Sequence, residues 1–222
     1  MEKKFIYSII FDMKRIFVSI LVILVQLHIS TYAASLPFKK KVKEPPKISK
    51  EFENISKQAT IFYAENNIKN SFDLLLSIPE EERSPQNWLL LGNILQDQGK
   101  NSEAIFMYQK AILCDENYYK SYYNLGNAYL SEDKPHLAIV QYKKLLNINP
   151  NFPYAYYNLG CAYIKIGELR KAKNAFISAI ELKNTEPDFH YNLAYVYKKL
   201  KNEKNAKLYL KYYDKIMEQQ LQ

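Results

Sequence analysis

The chain has 222 residues and a formal net charge of +8 at pH 7, with 48% hydrophobic and 24% charged residues. It contains 20 tyrosines but only 5 glycines, a balance that favours helices joined by short polar turns over a protein of sheets and turns. The excess positive charge is +7 in the first 50 residues and only +1 in residues 51–222. Global basicity therefore gives no reason to expect binding to DNA or RNA.

The N-terminal segment has the order of a secretory signal peptide. An apolar run at 16–29 follows Lys14 and Arg15 and is followed by small residues up to Ala33. The run is shorter than the about 20 residues that a membrane-spanning helix needs. We therefore expect residues 1–33 to be a signal peptide cleaved after Ala33, with an uncleaved membrane anchor as the alternative.

This leader predicts an exported protein, in a bacterial periplasm or, if the leader stays, anchored in the inner membrane and facing the periplasm. A start at Met13 in place of Met1 would give the signal ordinary proportions, and the sequence leaves both starts open. The lysine-rich and proline-rich stretch 34–50 is expected to be a linker. It acts either as a solvated spacer or as an arm that touches anionic lipid or an acidic partner.

One tyrosine-rich phrase recurs every 34 residues. YYNLGNAYL at Tyr122–Leu130 returns as YYNLGCAYI at Tyr156–Ile164 and as HYNLAYVYK at His190–Lys198. Helical periodicity runs twice through each unit, with a polar interruption between the halves, so each unit is predicted to be two helices joined by a tight turn. Because one such pair cannot bury its apolar face alone, at least three must stack.

Small residues recur where the two helices of a unit are expected to touch. Gly126 inside a helix costs about 1 kcal/mol relative to alanine, so close packing must offset it. We expect Gly126 to face Ala138 and to let Tyr122, Leu125, Tyr129 and Tyr142 interlock around them. The neighbouring Tyr123, Asn124 and Asn127 are expected to point to the other side. Pro150 is expected to end the second helix of this unit.

The spacing W-x2-L-G-x2-Y, A-x3-F and P every 34 residues resembles the tetratricopeptide repeat family. The first clear unit carries the pattern at Trp88, Leu91, Gly92, Ala104 and Tyr108, and the second at Tyr122, Leu125, Gly126, Tyr129, Ala138, Tyr142 and Pro150. Departures are Leu95 at the tyrosine position, His190 at an aromatic position, and Glu116 and Asn184 at the proline position. The resemblance implies an all-α fold, a right-handed α-solenoid of stacked antiparallel helix pairs.

The repeat spacing divides the rest of the chain. The predicted units are a degenerate capping repeat at 51–84, three repeats at 85–118, 119–152 and 153–186, and a fourth repeat with a closing helix at 187–222. Cys114 and Cys161 fall in different units, too far apart for a disulfide. We expect both to be free thiols.

The sequence shows no catalytic constellation. His136 falls in a turn and His190 at a packing position, neither with a carboxylate or cysteine at ligand spacing, and no Gly-rich phosphate loop is present. We therefore predict no metal, no cofactor and no enzymatic activity.

In the family that the chain resembles, the first helix of every pair lines a concave groove that holds a segment of a partner protein. The residues carried onto this face are Asn93, Lys120, Tyr123, Asn124, Asn127, Tyr157, Asn158, Tyr191 and Tyr195. Asparagine amides can pair with a peptide backbone, and tyrosines give rigid contact area. These residues either form a specific peptide site or are ordinary groove residues of the family. Members that clamp a C-terminal carboxylate have a lysine where Leu89 and Tyr123 stand, so a clamp is not expected.

The predicted function is a scaffold or adaptor that binds a peptide or helix of another protein, in the assembly of a cell-envelope complex. The alternative is a structural or membrane-tethered component that makes homotypic contacts through the array. No nucleic acid is expected among the partners.

Overall fold

A computed structural model describes residues 49–221 of the protein. This part contains ten α-helices, one short 3₁₀ helix at Glu80–Glu82 and no strand. The helices are α1 (Lys50–Ala64), α2 (Ile68–Ser77), α3 (Pro85–Asp97), α4 (Asn101–Cys114), α5 (Tyr119–Ser131), α6 (Pro135–Ile148), α7 (Pro153–Lys165), α8 (Leu169–Leu182), α9 (Pro187–Lys199) and α10 (Glu203–Gln220). The predicted signal peptide at 1–33 and the linker up to residue 48 lie outside the described residues.

The helices pack as five consecutive pairs, from α1 with α2 to α9 with α10, and each pair also packs on the next one. Proline occupies the first turn of α3, α6, α7 and α9, where its missing N–H leaves no hydrogen bond unmade. Apolar clusters span the junctions between pairs, so no pair has a core of its own. The predicted all-α solenoid of stacked helix pairs is confirmed.

The turn inside every pair uses the same backbone conformation. One residue in each turn has a positive φ: Asn66 (59°), Gly99 (75°), Asp133 (54°), Gly167 (77°) and Lys201 (60°). The next residue donates its N–H to a carbonyl five residues back, as from Lys100 to Leu95 at 2.9 Å. This is the Schellman arrangement, which satisfies the last carbonyls of the first helix and reverses the chain.

A glycine and an aromatic ring bring the two helices of a pair together. A Cβ atom added to Gly126 would lie 2.5 Å from Cε1 of Tyr142, and Gly92 and Gly160 meet the rings of Tyr108 and Phe176 in the same way. The expectation that Gly126 faces Ala138 is therefore corrected. The ring of Tyr142 occupies that space because it is long enough to cross the junction, whereas the methyl group of alanine is not.

The two ends of the array differ. In the first pair, the buried hydroxyl of Ser71 donates to the carbonyl of Ala59 at 2.8 Å and joins α1 to α2. At the other end α10 has 18 residues, and most of its side chains are exposed. Within residues 49–221, no helix combines the length and apolar character required to cross a membrane.

Candidate protein-binding surface

A hydrogen-bond ladder runs along the first helices of the repeats. In α3, the side-chain carbonyl oxygen of Asn93 accepts a hydrogen bond from the Asn124 amide at 2.7 Å. It shares the Tyr108 hydroxyl, at 3.0 Å, with Oε1 of Gln96, which lies 2.7 Å from the same hydroxyl. Tyr108 belongs to the same repeat and Asn124 to the next. One amide therefore ties the two helices of a repeat together and links them to the following repeat.

The same junction is repeated one unit later. Oδ1 of Asn127 accepts from the Tyr142 hydroxyl at 2.7 Å and from the Asn158 amide at 2.8 Å. The Tyr142 side chain is fully buried, so its hydroxyl has no access to solvent and needs this protein acceptor. The ladder thus follows the 34-residue period of the sequence.

The third repeat replaces both partners of the junction at once. Cys161 occupies the asparagine position, and Phe176, which has no hydroxyl to satisfy, occupies the tyrosine position. The incoming amide of Asn192 donates to the Tyr157 hydroxyl at 2.8 Å instead. Burial raises the pKa of the Cys161 thiol to about 11, so this free cysteine stays protonated at neutral pH.

The asparagines of the predicted site therefore have a structural role that the sequence did not reveal. The sequence predicts that Asn124 and Asn127 point to the inner side, separate from the packing residues. This expectation is corrected, because both side chains hold neighbouring helices together. The Nδ2 groups of Asn93 and Asn127 donate no hydrogen bond to another described residue, and both side chains are half-buried. These two donors, one repeat apart, remain for a ligand.

Two of the predicted tyrosines are packed into the array. The Tyr123 ring lies edge-on to Phe152 at 5.2 Å, and the Tyr157 ring stacks on Phe189 at 4.9 Å. The Tyr157 contact joins the third repeat to the fourth, whereas Phe152 is the last residue of the repeat that contains Tyr123. Burial raises the pKa of Tyr157 above its ordinary value. Tyr123 and Tyr157 are therefore packed against neighbouring aromatic rings and are only half-exposed.

The remaining predicted residues are free at the surface. Lys120 on α5 is exposed, and on α9 the side chains of Tyr191 and Tyr195 are 51% and 41% exposed. Tyr191 lies 5.4 Å from the ring of Tyr213, and Lys199 places its ammonium 5.4 Å from the ring of Tyr195. Among the described first helices, the aromatic side chains with the largest exposed fractions are thus on α9, in the last repeat.

The structure adds Asn192 to the predicted set. Asn192 stands 34 residues after Asn158 and 68 after Asn124, and it also donates to the preceding repeat, to the Tyr157 hydroxyl in place of an asparagine carbonyl. The repeat spacing alone would have identified this residue, because all three asparagines share one position in the unit.

His136, expected in a turn, lies in the first turn of helix α6. The histidine expected at a packing position is buried. His190 is 5% exposed, its Nε2 lies 2.9 Å from the carbonyl oxygen of Asn184, and its ring stacks on Tyr209. A backbone carbonyl oxygen can only accept a hydrogen bond, so Nε2 of His190 carries the proton and is the donor to Asn184. Cys114 and Cys161 are both free. Within residues 49–221, no group of His, Cys, Asp or Glu side chains is arranged to hold a metal ion.

The structure is a stack of helix hairpins that share one sequence unit and present their first helices along one surface. This architecture defines the class of α-solenoid scaffolds for protein interactions. A family model described as TPR repeat matches residues 92–132, 137–167 and 161–201. The chain belongs to the tetratricopeptide repeat family, as its sequence pattern predicts. No curated protein matches the chain.

Solved structures of MamA proteins have a similar fold. MamA 41-end from Desulfovibrio magneticus RS-1 superposes with a TM-score of 0.71 at 19% identity, over 78% of this chain and 98% of that one. A second MamA crystal structure gives 0.69 at 22% identity, over 73% of this chain and 96% of the other. At these identities the likeness shows that the fold is shared.

Proposed function

We propose that the array is an adaptor that holds an extended or helical segment of a partner protein in its groove. The observation that carries this proposal is the pair of amide donors on Asn93 and Asn127, which stand one repeat apart beside a ladder that fixes their orientation. Because each Oδ1 is bound on both sides, each Nδ2 is held in place before a ligand arrives. A donor that is already ordered loses little conformational entropy on binding.

The chemistry of this face suits a peptide. Two ordered amide N–H groups can bind carbonyl oxygens of a partner backbone. Tyr191 and Tyr195 add rigid aromatic area at the C-terminal end of the groove, and tyrosine is enriched where proteins bind each other. The partner is therefore expected to place its backbone over α3 and α5 and an apolar side chain against α9.

The cellular setting belongs to the same proposal. The order of Lys14 and Arg15, the apolar run at 16–29 and the small residues up to Ala33 supports export to a bacterial periplasm, with retention in the inner membrane as the alternative. In either case the array would act in the assembly of a complex of the cell envelope. A fold of this kind does not by itself specify a pathway.

The test is capture of partners from an envelope extract by the full-length chain. The groove variant is Tyr191→Ala with Tyr195→Ala, two exposed side chains whose loss leaves the ladder intact. The matched control is Phe106→Ala with Leu113→Ala, which removes two exposed apolar side chains, 52% and 75% exposed, from the second helix α4. We expect the groove variant to lose at least about tenfold of the captured partner and the control to retain it. The same capture by both variants would contradict the placement of the partner against α9.

A second candidate function, homotypic contact, is favoured by one feature of the last repeat. Leu210 is 40% exposed, whereas Tyr108, Tyr142 and Phe176, at the equivalent position of repeats that another repeat follows, are fully buried. However, Asp214 replaces Leu146 on the same open side of α10, and a carboxylate at this position opposes the docking of another helix pair. Light scattering on the purified chain separates the two candidates, because an adaptor elutes as a monomer and a homotypic component does not.

A further inference from the structure

The outer surface of the last three repeats is strongly basic. We call this surface the basic ridge. On α6 it consists of six positions, His136, Leu137, Val140, Lys143, Lys144 and Asn147. The residues 34 and 68 positions later, on α8 and α10, complete it. These eighteen positions contain seven Lys or Arg residues and one acid, Glu181. The same six positions of α4 contain one Glu and one Lys, so the basic character begins at α6.

The cations of the basic ridge are largely unpaired. Lys171 lies 3.4 Å from the carboxylate of Glu168. The other six make no ion pair with any residue among 49–221, and they are Lys143, Lys144, Arg170, Lys204, Lys211 and Lys215. All six are exposed. Asp214 and Glu218 stand beside the ridge on α10, and the remaining repulsion between these cations is relieved by solvent, by salt or by an anionic partner.

Apolar side chains stand between these cations. Val140 is 46% exposed and Leu208, at the equivalent position of α10, is 42% exposed. Leu137 at 45% and Tyr212 at 44% lie beside them on the same two helices. Exposed aliphatic and aromatic groups among unpaired lysines are the composition of helices that lie in the interface of an anionic membrane.

We propose that the basic ridge docks the array on an anionic lipid surface, with Val140, Leu208 and Tyr212 entering the headgroup region and the lysines contacting lipid phosphates. Anionic lipid attracts each nearby Lys or Arg, and the apolar groups gain by leaving water. A nucleic acid would use the cations but would leave Val140 and Leu208 without a contact. The groove on the first helices stays open to a partner in this orientation.

The first experiment measures whether the ridge enters the bilayer. The chain has one tryptophan, Trp88, which is 5% exposed. A second is added by Leu208→Trp on the ridge or, as the matched control, by Tyr195→Trp in the groove. The full-length proteins are mixed with vesicles of phosphatidylcholine and phosphatidylglycerol that carry brominated acyl chains. We expect the fluorescence of the new tryptophan in Leu208→Trp to be quenched by the brominated chains. In Tyr195→Trp we expect no more quenching than in the unsubstituted chain, which has only Trp88.

The second experiment tests the charges. The ridge triple is built in the Leu208→Trp chain and combines Lys143→Glu, Lys204→Glu and Lys211→Glu. The control triple replaces three exposed lysines outside the ridge and combines Lys69→Glu, Lys100→Glu and Lys198→Glu. At about 1 kcal/mol for each lysine near anionic lipid, the ridge triple should weaken the docking by at least about 100-fold, and the control triple much less. The N-terminal segment is identical in all variants, so its own membrane affinity cannot produce this difference.

Three results would overturn the proposal. The first is equal quenching at positions 195 and 208, and the second is an equal effect of the two lysine triples. The third is binding that follows charge alone, in which polyglutamate or duplex DNA competes fully with the vesicles and Val140→Ser with Leu208→Ser changes nothing. That pattern would assign the ridge to an acidic protein or a nucleic acid.

Discussion

The side-chain amide of Asn158 donates a hydrogen bond of 2.8 Å to the side-chain carbonyl of Asn127 and so joins the first helices of two successive repeats. The carbonyl also accepts from the buried hydroxyl of Tyr142. Replacing Asn127 by alanine removes the acceptor from both donors. The expected cost is about 1–3 kcal/mol of the free energy of unfolding, because the Tyr142 hydroxyl cannot reach water.

Thermal and urea unfolding of Asn127→Ala would measure this cost. Asn147→Ala is the matched control, since Asn147 is exposed on the outer side of α6 and its loss should change stability by no more than about 0.5 kcal/mol. Equal stability of the two variants would show that the ladder contributes nothing. Partner capture by Asn127→Ala is uninformative until its folding has been verified.

The close approach at Gly126 predicts a size-dependent defect. The Cβ of Gly126→Ala would sit 2.5 Å from Cε1 of Tyr142, a ring that is fully buried. Overpacking costs about 1–3 kcal/mol, and the better helix propensity of alanine returns about 1 kcal/mol. We expect a net loss of up to about 2 kcal/mol in urea unfolding.

The fourth repeat supplies the control for this defect. Ala194 and Leu210 stand there where the second repeat has Gly126 and Tyr142. In a Tyr142→Leu background, Gly126→Ala should therefore cost little or should stabilise, and a double-mutant cycle measures the difference. Strictly additive effects would contradict the assignment of the glycine to the ring of Tyr142.

The left-handed residue in the last turn predicts a stabilising change. Lys201 has φ = 60°, where a side chain is strained and glycine is not. Lys201→Gly should raise the free energy of unfolding by about 0.5–1 kcal/mol. Asn202→Gly, one residue later at φ = −102° and with its side chain capping α10, should destabilise instead. The opposite order of melting temperatures would exclude this explanation.

Buried tyrosines predict a loss of stability at alkaline pH. Burial and the hydrogen bond to Asp97 raise the pKa of Tyr63 to about 12, and burial raises the pKa of Tyr142 above its ordinary value of 10.0. Burial likewise raises the pKa of the Cys161 thiol from 9.0 to about 11. Above these ordinary values the unfolded chain releases protons that the folded chain retains, so the free energy of unfolding falls as the pH rises.

The contribution of these groups is fully present below about pH 9 and is lost progressively through pH 11 and 12. Unfolding midpoints between pH 8 and 11 should therefore decrease. Cys161→Ala should remove the earliest part of the decrease, and Tyr142→Phe should flatten the later part. A midpoint that is constant or rises over this range would be inconsistent with the burial of these groups.

The sequence by itself determined the fold. The 34-residue spacing of Gly92, Gly126 and Gly160 and the helical periodicity on either side of each turn are local signals, and they specify helix pairs whose faces must stack. Even the position of Asn192 in the ladder follows from the spacing alone. Local patterns suffice here because each repeat contacts mainly its neighbours.

The tertiary structure decided what the side chains on those helices do. Asn127 has the same sequence environment whether its amide faces a ligand or Tyr142, and only the packing of three helices shows that its carbonyl is bound twice. The exposed fractions of Tyr157 and Tyr191 likewise depend on whether Phe189 or solvent lies above the ring. Contacts between the helices of one repeat and between successive repeats determine the hydrogen-bond partner and the burial of each side chain. A single helix has no such contacts, so its sequence does not reveal them.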